Sequence, residues 1–362
     1  MANTDPSSEL TPRLVAIRNR LASLPRQRVW FVGASGAVAL LFIVLLILAA
    51  LLPSHRSTTR IARATATPSP TATLAPTFTP TLPAIATPLI GTTAPYPANF
   101  EAYVLDPLTG RILLARHSND AHAMASTTKI MTAVVALLFG KLDQVFTVKS
   151  DILTLDPTAS KMGVSVGEKY TLRDLLYGLM LPSGDDAAVV IADGMYGSQA
   201  AFVAQMNSVA QWLHMDHTHY VNPHGLNAPG HYTSAADLAR LTQVALNFPL
   251  FRQIVSTVSY SIPATATHHA LRLLNTNILL QDAPGLGIDG VKTGYTGGPD
   301  GAQYCVVVDA RLQKHELITV IMGDGTYQSR FIDAAALTAW GFQEEGLNVK
   351  APYISPQPAP GQ

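Results

Sequence analysis

The sequence predicts an α/β domain, a mainly antiparallel sheet flanked by helices plus a helical lobe, preceded by one transmembrane helix and a disordered linker. Three observations predict it. Apolar runs of strand length open and close the region after residue 98, and helical periodicity fills the space between them. An uncharged stretch at 30–52 is long enough to cross a bilayer, which takes about 20 apolar residues. A Thr, Pro, Ala and Ser segment at 53–98 joins the two.

Of the 362 residues, 48% are hydrophobic and 13% charged, and this excess of apolar residues points to a membrane segment. Lys plus Arg equals Asp plus Glu at 24 each, so no bulk charge argues for nucleic acid as a partner. Arg13, Arg18, Arg20, Arg26 and Arg28 precede the apolar run and fewer arginines follow closely. The positive-inside rule therefore places residues 1–29 in the cytoplasm and the rest outside, a single-pass protein of the cell membrane. The span is longer than the apolar core of a cleaved signal peptide, which favours an uncleaved anchor. Repeated prolines in the linker remove backbone donors and favour extended conformations, making it a semi-rigid spacer. Cys305 is the one cysteine, so the chain forms no internal disulfide, and its run Tyr304-Cys305-Val306-Val307-Val308 reads as a buried strand.

The catalytic domain is expected over 99–345, followed by a flexible tail at 346–362. Apolar runs 103–105 and 112–114, joined by Asp106-Pro107-Leu108-Thr109-Gly110, form a hairpin. A helix follows over 126–139, with Ile130, Val134, Leu137 and Leu138 on one stripe and Gly140 at its end. Further helices are expected at 172–181, 185–196 and 200–213, leading into a loop at 220–232. Strands return at 290–294, 304–309 and 317–322, and a helix closes the domain at 327–340.

Ser126-Thr127-Thr128-Lys129 opens the first helix, and the i to i+3 spacing sets hydroxyl and ammonium on one face. A serine hydroxyl becomes a good nucleophile only with a base beside it, and a lysine acts as base only if burial or a nearby cation lowers its pKa. A second cation is therefore expected near Lys129. Lys292-Thr293-Gly294 supplies a candidate that is also able to grip a carboxylate, and Ser183-Gly184-Asp185 offers a relay hydroxyl. His214, Asp216, His217, His219, His224 and His231 crowd one segment, but their spacing follows no helical metal-ligand motif.

Ser-x-x-Lys, a Ser-x-Asn-like triplet and Lys-Thr-Gly, in this order, resemble the signature of β-lactamases and penicillin-binding proteins. The stretches Met124 to Ala133, Val221-Asn222-Pro223-His224-Gly225-Leu226, Asn275-Thr276-Asn277 and Asp289 to Thr296 are similar to those of D-alanyl-D-alanine carboxypeptidases, over about 102–340. The resemblance implies a β-lactamase/transpeptidase-like fold and a serine peptidase of peptidoglycan stem peptides that β-lactams acylate. Ser126 matches the nucleophile, Lys129 its base and Ser183 the proton relay. Lys292 and Thr293 match the carboxylate-binding pair, Gly294 makes room for substrate, and the backbone amides of Ser126 and Tyr295 match the oxyanion hole. No metal or cofactor is implied.

The family usually has Asn where this chain has Asp185, so an amide donor becomes a carboxylate that pairs with Lys129 or Lys292 and holds it charged. Many relatives also carry a C-terminal β-rich domain that is not seen after Trp340, which leaves the domain tethered from its N-terminal side. Alternative readings are an endopeptidase of peptide cross-links, a β-lactamase, and a non-catalytic wall-binding or β-lactam-sensing module.

Overall fold

A computed structural model describes residues 100–298 and 301–356. The expected cytoplasmic tail at 1–29, membrane span at 30–52 and linker at 53–98 lie outside the described residues. Among the described residues no single helix is long and apolar enough to cross a membrane.

The chain opens with a hairpin, β1 (Glu101–Leu105) and β2 (Ile112–Arg116). Its turn is closed by Asp106, whose carboxylate accepts the Leu108 and Thr109 amides at 2.8 and 3.1 Å. A 3-10 turn, Ala125–Thr127, leads into α1 (Thr128–Phe139). The expected helix thus begins two residues later than predicted, and Ser126 sits in the tighter turn before it. Nor does α1 present one stripe. Ile130, Met131, Ala133, Val134, Val135 and Ala136 are all buried, because the helix runs through the middle of the helical lobe and is covered on every side.

Around α1 stand β3 (Val145–Thr147) paired with β4 (Lys169–Thr171), then α2 (Leu172–Met180), α3 (Asp185–Tyr196) and α4 (Gln199–Trp212). Thr171 and Ser198 cap α2 and α4 by accepting the Asp174 and Ala201 amides. Two helices absent from the sequence-based expectation follow, α5 (Ala235–Ala245) and α6 (Pro249–Val255). Their signals are present in the chain. Ser234 accepts the Asp237 amide at 3.2 Å, a capping serine, and Pro249 occupies the first turn of α6. The small hairpin β5 (Ser259–Ile262) and β6 (Leu271–Leu274) and the short α7 (Leu279–Asp282) complete the insert.

The last three strands, β7 (Ile288–Gly298), β8 (Gly301–Leu312) and β9 (His315–Asp324), are longer than the apolar runs alone suggested. With the first hairpin they form one antiparallel sheet in the order β2-β1-β9-β8-β7. Period-two alternation divides the side chains between two cores. Val306, Val308, Leu317 and Ile321 face α8 (Ser329–Glu344), whereas Cys305, Val307, Ile318, Val320 and Met322 face the helical lobe. The result is three layers, α8, sheet and helical lobe, with both faces of the sheet covered. Ile354 is buried in the α8 core. Cys305 lies on the inner face with its thiol pushed up to about 11 by burial.

Candidate active site

The 3-10 turn carrying Ser126 packs against β7, so the Ser-x-x-Lys and Lys-Thr-Gly segments meet where the helical lobe adjoins the sheet edge. Two glycines permit this approach. A Cβ on Gly294 would stand 3.2 Å from the Ala125 Cβ, and one on Gly225 (φ 101°) would stand 2.0 Å from the Ala125 carbonyl oxygen. Two non-glycine residues take left-handed backbone beside the reacting groups, Ala125 at φ 47° and Ser183 at φ 64°. Such conformations cost about 1–3 kcal/mol each and persist only where surrounding contacts impose them.

Lys129 lies at the centre. Its Nζ contacts Ser126 Oγ at 3.0 Å, Asp185 Oδ1 at 2.5 Å and the His224 carbonyl oxygen at 2.5 Å. Those contacts match the three donors of an ammonium. They also suit the neutral amine, whose two N–H groups serve Asp185 and His224 while its lone pair faces the Ser126 hydroxyl. Burial holds the Lys129 pKa below the ordinary lysine value, and the Asp185 and Asp186 carboxylates pull it back up. Burial, one of the two causes expected, has the largest effect on Lys129.

Lys292 is the expected cation, and repulsion between the two lysines disfavours charging both. The Lys292 side chain is almost fully enclosed, its Nζ donates to the Thr293 carbonyl at 2.9 Å, and its pKa falls well below the ordinary value through burial, then Lys129 and Arg330. Of the two partners expected for Asp185, the structure selects Lys129. Thr293 Oγ1 shares a 2.6 Å hydrogen bond with Thr276 Oγ1. Ser183 is buried, and its Oγ has no hydrogen-bond partner among the described residues. A buried hydroxyl left free beside the cleft has capacity for an incoming group. The Tyr295 side chain points outward, 57% exposed, against the Tyr304 ring.

Several participants carry no signal that residue type and spacing reveal. The His224 group that meets Lys129 is a backbone carbonyl. Asn222 shapes that loop by accepting the Gly225 amide at 2.7 Å and donating to the Leu226 carbonyl at 2.8 Å. Arg330, at the start of α8, donates to the Gly294 carbonyl at 2.6 Å and stacks on Tyr304, Tyr327 and Phe331. Asp186 accepts the Met162, Gly163 and Val164 amides, tying an adjacent loop to the start of α3. The crowded histidines are dispersed in role. His224 Nδ1 accepts the Leu226 amide and His219 Nδ1 meets the Gly230 carbonyl. Among the described residues no group of three or more His, Cys, Asp or Glu is arranged to hold a metal ion.

A family model described as D-alanyl-D-alanine carboxypeptidase matches residues 92–326. The chain is 34% identical over 248 residues to D-alanyl-D-alanine carboxypeptidase DacF of Bacillus subtilis, covering 67% of this chain and 62% of that one. It is 34% identical over 272 residues to the D-alanyl-D-alanine carboxypeptidase of Streptomyces sp. strain K15, covering 71% and 91%. The chain thus spans about three fifths of the length of the Bacillus relative and nearly all of the Streptomyces one. The crystal structure of the Streptomyces K15 DD-transpeptidase superposes with a TM-score of 0.64 at 32% identity, over 70% of this chain and all of that one. Penicillin-binding protein 5 of Haemophilus influenzae superposes with a TM-score of 0.62 at 29% identity, over 70% and 73%. With the model matching more than half of its length and the Streptomyces relative matched almost end to end, the chain belongs to the D-alanyl-D-alanine carboxypeptidase family.

Proposed function

We propose that the protein is a serine D-alanyl-D-alanine carboxypeptidase that removes the terminal D-alanine of peptidoglycan stem peptides through an acyl-enzyme, and that β-lactams acylate the same serine. The observation that carries this reading is the contact of Lys129 Nζ with Ser126 Oγ at 3.0 Å inside a buried site. Neutral Lys129 takes the hydroxyl proton as Ser126 Oγ bonds to the penultimate carbonyl carbon. The oxyanion is held by the Ser126 and Tyr295 backbone amides. Collapse breaks the peptide bond, and the proton returns through Ser183 to the departing D-alanine amine. Water then hydrolyses the ester and frees Ser126. Lys292 and Thr293 hold the substrate's terminal carboxylate, whose negative charge would raise the Lys292 pKa. Gly294 leaves space for the substrate backbone, and Asp185 lines the same pocket.

The Streptomyces protein bears both carboxypeptidase and transpeptidase names. A second reading follows, in which the acyl group passes to an amine instead of water.

The placement is part of the proposal. The uncharged run 30–52 and the arginines before it support a membrane anchor with the catalytic domain outside the cytoplasm, held off by the linker 53–98. One experiment covers both claims. Cells making the full-length chain are fractionated, and D-alanine release from a peptide ending in D-alanyl-D-alanine is followed beside the Ser126→Ala variant. Release is expected in the membrane fraction of the parent alone. Release in the soluble fraction would remove the anchor, and equal release by both proteins would remove the serine mechanism. Added amine that diverts the peptide into a transfer product would favour the second reading.

A further inference from the structure

We propose that His231, whose ring hydrogen-bonds to Val221 and Thr128 and not to Ser126 or Lys129, is a positioning residue that clamps the Val221–Gly225 loop to the nucleophile helix and so fixes both reacting groups. The hydrogen-bond directions determine its tautomer. The Val221 backbone N–H can only donate, and it meets His231 Nδ1 at 3.0 Å, so Nδ1 carries the lone pair. In the neutral ring Nε2 then carries the proton. It donates to Thr128 Oγ1 at 2.8 Å, while the Thr128 hydroxyl proton is committed to the Ala125 carbonyl at 2.7 Å. One unbroken chain of donors and acceptors therefore runs from Val221 through the imidazole to Ala125, the left-handed residue that precedes Ser126.

Both ends of that chain lead to the chemistry. At one end, the Ala125 carbonyl belongs to the turn that aims Ser126. At the other, Val221 begins the loop whose His224 carbonyl receives Lys129 Nζ at 2.5 Å and whose Pro223 carbonyl receives Thr132 Oγ1 at 2.6 Å. The loop also presses Gly225 against the Ala125 carbonyl. His231 is itself held in place. Its backbone amide donates to the Ala228 carbonyl at 3.0 Å, and the adjacent Tyr232 pairs with His219 in both directions. Burial, with the charges of His224, His219 and Lys129, pushes the imidazole down to about 4, which keeps the ring neutral at neutral pH. Protonation or loss of the ring would leave the Val221 amide without its acceptor.

The kinetic test of the clamp rests on the proposed acylation of Ser126, whereas the tautomer test does not. In the full-length chain labelled with 15N-histidine, the His231 ring should show a protonated Nε2 and an unprotonated Nδ1 at neutral pH, and Thr128→Val should shift the Nε2 signal. For kinetics, His231→Asn keeps an acceptor near Val221 but cannot reach Thr128, and Thr128→Val removes the hydroxyl at nearly constant volume. Each should lower the rate constant for acylation by a fluorescent penicillin by about tenfold or more, since small misplacements of reacting groups are costly. The reversible affinity before acylation should change little. Because the two residues act through one connection, the double variant should be no slower than the slower single one.

A lower melting temperature with unchanged acylation, or single effects that multiply in the double variant, would overturn the clamp. So would a His231 ring protonated at Nδ1. If the unsubstituted chain fails to react with the penicillin, it is the proposed function that fails, and the tautomer and the Thr128→Val shift still decide the clamp.

Discussion

Replacing Lys129 by methionine is expected to slow acylation of Ser126 by about a hundredfold to ten thousandfold, the range spanned by loss of a positioned general base. The serine hydroxyl meets Lys129 Nζ at 3.0 Å, and Asp185 contacts the lysine at 2.5 Å. The single variant also strands the Asp185 carboxylate, which is 3% exposed. Removing one member of a buried pair costs about 3–5 kcal/mol of stability. Adding Asp185→Asn removes that stranded charge, so the double variant should recover stability while acylation stays slow. Recovery of the rate along with the fold would show that Lys129 is structural and that another group takes the serine proton.

Asp185→Asn alone is expected to speed acylation at neutral pH. The carboxylate raises the Lys129 pKa against the downward effect of burial, and its loss lets burial act with less opposition. Only the neutral amine accepts the serine proton, so acylation rises with pH until Lys129 has lost its proton. With asparagine at 185 the Lys129 pKa falls, and this rising limb moves to lower pH. A tenfold gain at pH 7 would correspond to about 1.4 kcal/mol of carboxylate stabilisation of the ammonium. Asparagine also restores an N–H donor to the pocket, which acts in the same direction. The measurement is the acylation rate constant across pH for both proteins. A limb that stays in place or moves to higher pH would show that Asp185 does not govern Lys129.

The sequence was most informative where chemistry depends on side chains at short spacing. Ser126 and Lys129, one turn apart, are in contact as the spacing required. The apolar runs at 304–309 and 317–322 marked strands, although pairing extended β8 and β9 beyond them. Less legible was whatever depends on backbone groups or distant partners. The His224 carbonyl has no residue-type signature, and Arg330 reaches Gly294 from 36 positions away. The weight of burial on the Lys129 pKa was also hard to read, because it depends on packing from the whole helical lobe. The Ser234 cap and Pro249 are readable signals for α5 and α6.

Ser126 is the residue whose acylation the proposed function requires. The most direct measurement is the intact mass of the full-length chain after exposure to benzylpenicillin, followed by mapping of the modified peptide, with Ser126→Ala in parallel. One adduct per chain on the peptide carrying Ser126, absent from the variant, is the predicted result. An adduct elsewhere, or none on a folded chain, would contradict it.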